Sequence, residues 1–354
     1  MKAFKYMAIF VVLVTGLNNG LKAQTDNGLF EEESILEITL GGNLRDLLND
    51  RTDNPKLHPI SLSYKKGDSS ILSLQIESKT RGHFRKQKGV CDYPPLLLHF
   101  NQNEQVQSSI FKFQKNLKLV MPCDGDGYVV KEYMAYKINN LVTPKSFRAR
   151  LVRVTMNDPN KKKTNQFYGI LLEEESQVAI RNNLVPVVRK INPEQTSKKE
   201  FLDMAVFEYL IGNTDWSIQY LQNIKLLASD SLAVPFTVAY DFDHAGIVSA
   251  PYALPAEELQ LSSVRTRLYR GYCITDMKQF DSTIAKFNRI RESIYALYSS
   301  SPLFDPKYIK STISYLDDFY STINNPKMVQ REFGYPCDKN GTGNIIIHGL
   351  KNDQ

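Results

Sequence analysis

The stretch PFTVAYDFDHAG, Pro235 to Gly246, opens on a short apolar run and closes on two acids flanking one aromatic. The run PFTVA reads as a buried strand, with Asp241 and Asp243 at its end and Gly246 soon after. Two carboxylates this close repel each other, and desolvating them is costly unless something positive lies between them. A lone D-x-D is commonplace and usually caps a turn. Here its upstream neighbours sharpen the reading. Asp215 stands in GNTDW, a loop that directly follows an apolar helical segment, and Asn223 opens the next strand, NIKLL. If NIKLL and PFTVAY pair as a hairpin, Asp215, Asn223, Asp241 and Asp243 converge. One or two carboxylates and an amide oxygen, completed by water or phosphate, form the ligand set that a hard cation prefers.

Outward from this hairpin the second half of the chain reads as mainly helical. FLDMAVFEYLIG carries apolar residues at Phe201, Leu202, Ala205, Val206, Tyr209 and Leu210, with Gly212 as a stop. Further helices are predicted over 278–299 and 306–323, and the Gly- and Asn-rich end is a weakly structured tail or a final hairpin. The first half reads as strands: LEITL, ISLSY, ILSLQIES, PLLLHF, LKLVM, FRARLVRVTM and FYGILLE, separated by Asp, Asn, Gly and Pro clusters. Lys161–Lys163 fit a solvated hairpin tip between the last two. One helix interrupts the strands. YVVKEYMAYKINNLV places Val129, Val130, Tyr133, Tyr136 and Leu141 near a 3.6-residue period and ends at Thr143-Pro144. The expected fold class is α+β, with a β-rich lobe over 35–172 containing one key helix and a mainly helical lobe over 173–354.

The β-rich half offers its own charged residues. Lys118 lies inside the apolar run LKLVM, where an unpaired lysine is costly, and Glu132 lies in the helix that follows. A strand lysine paired to a helix glutamate is how protein kinases hold nucleotide phosphates. The bland alternative puts Lys118 on an edge strand in solvent and Glu132 in a surface pair with Tyr136. A third element, KTRGHFRKQKG over Lys79–Gly89, crowds five Lys and Arg residues around Gly82. It could cover phosphates or be a solvated basic hairpin, and it lacks the G-x-G-x-x-G spacing.

The 354 residues are 42% apolar and 23% charged, which excludes a long disordered or repeat-built chain. A net charge of +6 is too mild to imply nucleic acid, and no nucleic-acid-binding motif is present. Lys2 and Lys5 followed by MAIFVVLVTGL read as a signal peptide over 1–23, with a retained anchor as the alternative, and 24–34 as a loose acidic leader. No second apolar stretch is long enough to span a membrane, so the mature chain is expected to be exported without a transmembrane span, to the periplasm, envelope or medium. Four cysteines in an exported chain suggest two disulfides among three possible pairings. Cys91–Cys123 with Cys273–Cys337 is the most local choice, and four buried thiols the alternative.

Taken together these residues resemble the CotH-type kinase family and, more distantly, secretory-pathway casein kinases and HipA-type kinases. The similarity covers roughly residues 60–250. TRGHFR resembles the family's RG-N-type turn, FYGILLEEE its strand ending in a glutamate, GNTDW its catalytic loop and YDFD its metal-binding acids. The runs CDYPPL, KLV, EYMAY, SFRARL and YDFD are similar to those of an exported, uncharacterised bacterial subgroup. The resemblance implies a two-lobed protein-kinase-like fold and ATP-dependent phosphoryl transfer to Ser or Thr of a protein partner or of the chain itself. It implies that Asp215 orients or deprotonates the acceptor hydroxyl. Asp241, Asp243 and Asn223 would hold Mg2+ or Mn2+, Lys118 would contact phosphate with Glu132 positioning it, Arg81 would assist, and Glu173 or Glu174 would sit at the adenine edge. His83 where an asparagine is usual, and Gln222 where a histidine is usual, depart from that pattern. They leave open a catalytically weak kinase-like binding module at the cell envelope, whose acids bind Ca2+ or order a loop. Trp216 reads as packing that stiffens the catalytic loop, with direct substrate stacking as the alternative.

Overall fold

The computed structural model describes residues 28–159 and 164–334. The chain is α+β. Strand β1 (Leu36–Gly41) and helix α1 (Leu44–Asn49) are followed by β2 (His58–Lys65), β3 (Ile71–Thr80), β4 (Leu96–His99), α2 (Glu104–Gln107) and β5 (Asn116–Val120). Helix α3 (Asp126–Val142) then precedes β6 (Ala149–Asn157) and β7 (Asn165–Leu172). The rest comprises α4 (Glu175–Arg181), β8 (Val185–Val187), α5 (Lys198–Ile211), β9 (Ile224–Ala228), β10 (Phe236–Ala239), α6 (Asp281–Ser299), α7 (Pro306–Ile323) and α8 (Pro326–Phe333).

The front half is not an open sheet. Its seven strands close into a barrel in the order β1-β2-β3-β4-β5-β7-β6, sealed by parallel pairing of β1 with β6, Leu36 opposite Val152. Strand alternation explains its two faces. Leu117 and Leu119 point into the barrel beside Leu98 and Leu171, whereas Val120, Ile170 and Leu172 join the second core, formed with α3 and the helical half. Lys118 lies between Leu117 and Leu119 and therefore faces outward, towards that second core. Each fully buried leucine of the barrel contributes about 1.5–3 kcal/mol, enough to settle the strand's register and with it the side on which Lys118 emerges.

Helix α3 ends at Thr143, where Pro144 forbids continuation. It is buried on nearly every side, Glu132 included, and Leu141, expected on the apolar face, is 37% exposed instead. Glu132 at 2% exposure excludes the surface pairing with Tyr136. In the back half, α5 stops at Gly212, whose φ of 69° is the left-handed cap glycine accepts readily. The expected two-stranded hairpin β9–β10 is present, extended by β8 into three strands.

The leader, expected to be loose, is docked over its described part. Leu29 is buried, its carbonyl accepts from Arg150 at 2.8 Å, and Glu31, Glu32 and Glu33 pair with Arg148, Arg150 and Lys137. Basic residues on α3, on β6 and just before β6 thus tie it down, a partnership that local sequence does not reveal. The Cys91–Cys123 disulfide is formed, with 4.4 Å between Cα atoms. Cys273 is also disulfide-bonded. Its expected partner Cys337, the signal peptide, the Lys161–Lys163 tip and the tail beyond residue 334 lie outside the described residues. Among the described residues no helix is long and apolar enough to cross a membrane.

Candidate functional site

Where the barrel's outer face meets the helical half, charged residues from five segments converge. Lys118 Nζ on β5 lies 3.5 Å from Asp241 Oδ2, at the end of β10. The pairing register explains the approach. β9 and β10 form the expected hairpin, Ile224 opposite Ala239, and the Tyr240 N–H donates to the Asn223 carbonyl at 3.1 Å. That fixes the Asp241 turn beside the Asp215–Asn223 loop. The Asp241 N–H donates to Tyr136 Oη of α3 at 3.0 Å, pinning the turn to the helix that carries Glu132.

Three non-glycine residues here adopt left-handed backbone: Leu221 (φ 52°), Asn223 (φ 51°) and Asp241 (φ 66°). Such conformations cost about 1–3 kcal/mol each, less for Asn and Asp, and persist where the surroundings impose them. The three cluster next to the acids.

Asp215 is fully engaged. Gln222 Nε2 donates to its Oδ1, Asn223 Nδ2 to its Oδ2 at 3.0 Å, and Asn223 also bridges to the Asp215 carbonyl at 2.7 Å. Gln222 thereby has a definite task, holding the loop carboxylate. Asn223 spends its nitrogen on Asp215, so only its Oδ1 could ligate a cation. Burial pushes the Asp215 carboxyl up, and the negative fields of Asp243 and Asp241 add to this against the opposing field of His244. For Asp241 burial acts upward too, but Lys118, Arg85, Arg81 and His244 outweigh it and hold the carboxyl below its usual range. Arg81 thus acts on Asp241 through its field, and its own backbone N–H is bound to the Pro95 carbonyl at 2.9 Å.

The expected Lys118–Glu132 pair is not what forms. Lys118 pairs with Asp241, and the cation beside Glu132 is Arg85, with Nη1 3.9 Å from Glu132 Oε2 and 3.7 Å from Asp243 Oδ2. Desolvation, reinforced by Asp243 and Asp241, raises the Glu132 carboxyl to about 8 despite Arg85 and Lys118. Asp243 also accepts from Tyr252 Oη at 3.1 Å, and Tyr252, His244 and Phe84 make a small aromatic cluster over the turn.

Glu173 has another role than the one expected at the adenine edge. Its carboxylate is wholly buried and consumed. It accepts from the Arg148 N–H at 2.9 Å, from Arg148 Nε at 3.1 Å and from Arg181 at 3.0 Å. It clamps the junction after β7 and has no oxygen left for a ligand. Glu174 is half-exposed at the N-cap of α4 and accepts from Ser176 at 3.4 Å.

Arg85, Tyr252, His244 and Arg270 were not singled out in the sequence, and Tyr136 was read only as an apolar-face residue of the helix or a surface partner of Glu132. Arg85 stands within the quoted basic turn, and His244 within YDFDHAG. Arg270, 56 residues beyond Thr214 and 54 beyond Trp216, donates to the carbonyls of both in the Asp215 loop. Trp216 is 3% exposed and packs on Phe201, in line with the packing reading.

No family model and no curated protein matches the chain. Among solved structures, that of the Helicobacter pylori proinflammatory kinase CtkA superposes with a TM-score of 0.40 at 15% identity, covering 72% of this chain and 94% of that one. A likeness of that extent carries no argument about activity.

Proposed function

We propose that this protein is an exported kinase-like phosphotransferase with a two-lobed, protein-kinase-like arrangement, which moves the γ-phosphoryl group of metal-bound ATP to a Ser or Thr hydroxyl of a protein partner or of itself. The observation that carries the reading is the 3.5 Å approach of Lys118 and Asp241, residues from opposite halves of the chain, within a field that also includes Asp215 and Asp243. Among the described residues no group of three or more His, Cys, Asp or Glu forms a metal cage. Mg2+ does not need one, because it keeps waters and is held by one or two carboxylates plus substrate phosphates.

The residues present fit such an ion. Asp241 is partly exposed, at 32%, and is held ionised; the Asn223 Oδ1 and a second oxygen on Asp243 complete the donor set. When bound, the ion would supply positive charge that offsets the charge of the phosphates. Lys118, which lies 3.5 Å from Asp241 in the same crevice, would bind a phosphate oxygen. Asp215, whose raised affinity for protons suits a base, would accept the hydroxyl proton. The hydroxyl oxygen bonds to the γ-phosphorus as the bond to the bridging oxygen breaks, and ADP leaves with that electron pair. Positioning and charge neutralisation supply most of the acceleration in such transfers.

A binding module without transfer is favoured by one observation: both Asp215 oxygens are already taken by amides. The deciding experiment is incorporation of label from γ-labelled ATP by the full chain. The phosphotransfer reading expects incorporation that vanishes in Asp215→Ala and Asp241→Ala. Equal incorporation by wild type and both variants would remove these residues from the chemistry, and nucleotide binding without incorporation would leave the binding module.

A further inference from the structure

Arg85 is delivered to the crevice by a turn that is fastened at several points. Its Nη2 donates to the Met121 carbonyl, just beyond β5. Arg51 fans onto three carbonyls of the following loop, those of Gln87 (3.3 Å), Cys91 (2.8 Å) and Asp92 (2.9 Å). Lys86 donates to the Thr52 carbonyl, and the Cys91–Cys123 disulfide ties the end of the loop to the segment between β5 and α3. A basic turn that merely met solvent would need none of these ties. The Arg85 side chain is 10% exposed, Glu132 2% and Asp243 9%.

The guanidinium lies between two carboxylates from opposite halves of the chain, within ion-pair range of both yet beyond hydrogen-bond range of either. Arg85 Nε and Glu132 Oε1 have no hydrogen-bond partner. Buried polar atoms without partners are costly, so they mark a place whose geometry serves something other than stability. Two cations divide three acids here. Lys118 serves Asp241, which solvent reaches, and Arg85 serves the two that solvent does not. Removing Lys118 leaves an acid that water can compensate. Removing Arg85 leaves two buried acids without the cation that stands within ion-pair range of both.

We infer that Arg85, rather than Lys118, is the positioning residue that ties Glu132 of α3 to Asp243 of the metal-binding turn, leaving Lys118 free for the phosphate. This rests on the phosphotransfer reading for its purpose but not for its test. Lysine cannot replace it fully, because a point charge does not reproduce a planar fork that reaches Met121 and two carboxylates at once.

The test is a double-mutant cycle on the full chain, Arg85→Met, Glu132→Gln and the pair, at about pH 9 so that the acids are ionised. Mg·ATP affinity is measured by calorimetry and stability without ligand by urea denaturation. Arg85→Met is expected to weaken Mg·ATP binding at least about tenfold and to lower the urea midpoint, since it strands buried charge. Adding Glu132→Gln is expected to raise the midpoint above that of Arg85→Met, because one stranded acid is gone, while Mg·ATP affinity stays at least about tenfold below wild type, because the tie to Asp243 is still missing. Arg85→Lys should fall between wild type and Arg85→Met. Binding by Arg85→Met within about twofold of wild type, a pair variant no more stable than Arg85→Met, or a pair variant that regains wild-type affinity without the tie, overturns the inference. If Arg85→Met does not fold, a folded pair variant supports the inference and an unfolded one overturns it. If wild type takes up no Mg·ATP, the phosphotransfer reading fails, and the urea cycle alone still decides whether Arg85 couples to Glu132.

Discussion

Replacing both Cys91 and Cys123 by serine tests how far the basic turn depends on its staple. The bridge joins residues 32 apart, enclosing β4, α2 and β5 with Lys118. For a loop of that length, chain entropy alone assigns the cross-link about 3.7 kcal/mol at 25 °C. The native side should add little strain relief, because Arg51, Lys86 and Arg85 hold the same loop through backbone carbonyls. The double serine variant is therefore expected to fold, to lose roughly 3–4 kcal/mol, and to keep the Arg85 turn in place at low denaturant. The assay is urea denaturation followed by far-UV circular dichroism, because the only tryptophan lies in the helical half and would not report on the barrel. A variant beats a reductant here, since Cys273 is also disulfide-bonded. A loss below about 1 kcal/mol would refute the claim that the bridge stabilises the fold by constraining the unfolded chain.

Other outcomes follow from the same geometry. Mg·ATP at about 100 times its dissociation constant should stabilise the chain by roughly 2.7 kcal/mol in thermal melts, and no shift with Mg2+ or Mn2+ at millimolar nucleotide would speak against a nucleotide site. In metal-free protein Glu132 keeps its proton up to about 8, whereas an unfolded chain releases it near 4.5. Between those values the unfolded state loses a proton that the folded state retains, so this group's contribution to stability falls as pH rises through the window and is flat above it. Glu132→Gln should flatten that part of the urea stability profile, and an unchanged slope would contradict the assignment. Glu173→Ala should cost about 1.5–3 kcal/mol, because two arginines lose a charged acceptor yet can turn to water, and a wild-type melting curve would show that the clamp is idle.

Much of the architecture was legible because alternation and helical period are local. The strand runs, α3 with its Thr143-Pro144 end, α5 with its Gly212 stop and α7 over 306–323 all follow from neighbours within a few residues. Barrel closure was not, since it depends on β1 meeting β6 across more than a hundred residues. The short elements α1, α4 and β8 are decided by packing, their runs being too brief for periodicity. In the site, the convergence of Asp215, Asn223 and Asp241 was readable from the hairpin. Which acid Lys118 meets was not, because Arg85 competes for Glu132 and its anchor, the Met121 carbonyl, lies 36 positions away. Glu173 misled for a similar reason. A glutamate at a strand end looks available until Arg148 and Arg181 are seen to claim every oxygen.

The proposal that Lys118 and the acids of the turn share one nucleotide is tested most directly by an acyl-phosphate derivative of ATP, which acylates the lysine nearest the bound phosphates. Peptide mapping should find the label on Lys118, suppressed by excess Mg·ATP and much reduced in Asp241→Asn. Label scattered over surface lysines, or on Lys118 but indifferent to Mg·ATP, would mean that no nucleotide occupies this crevice.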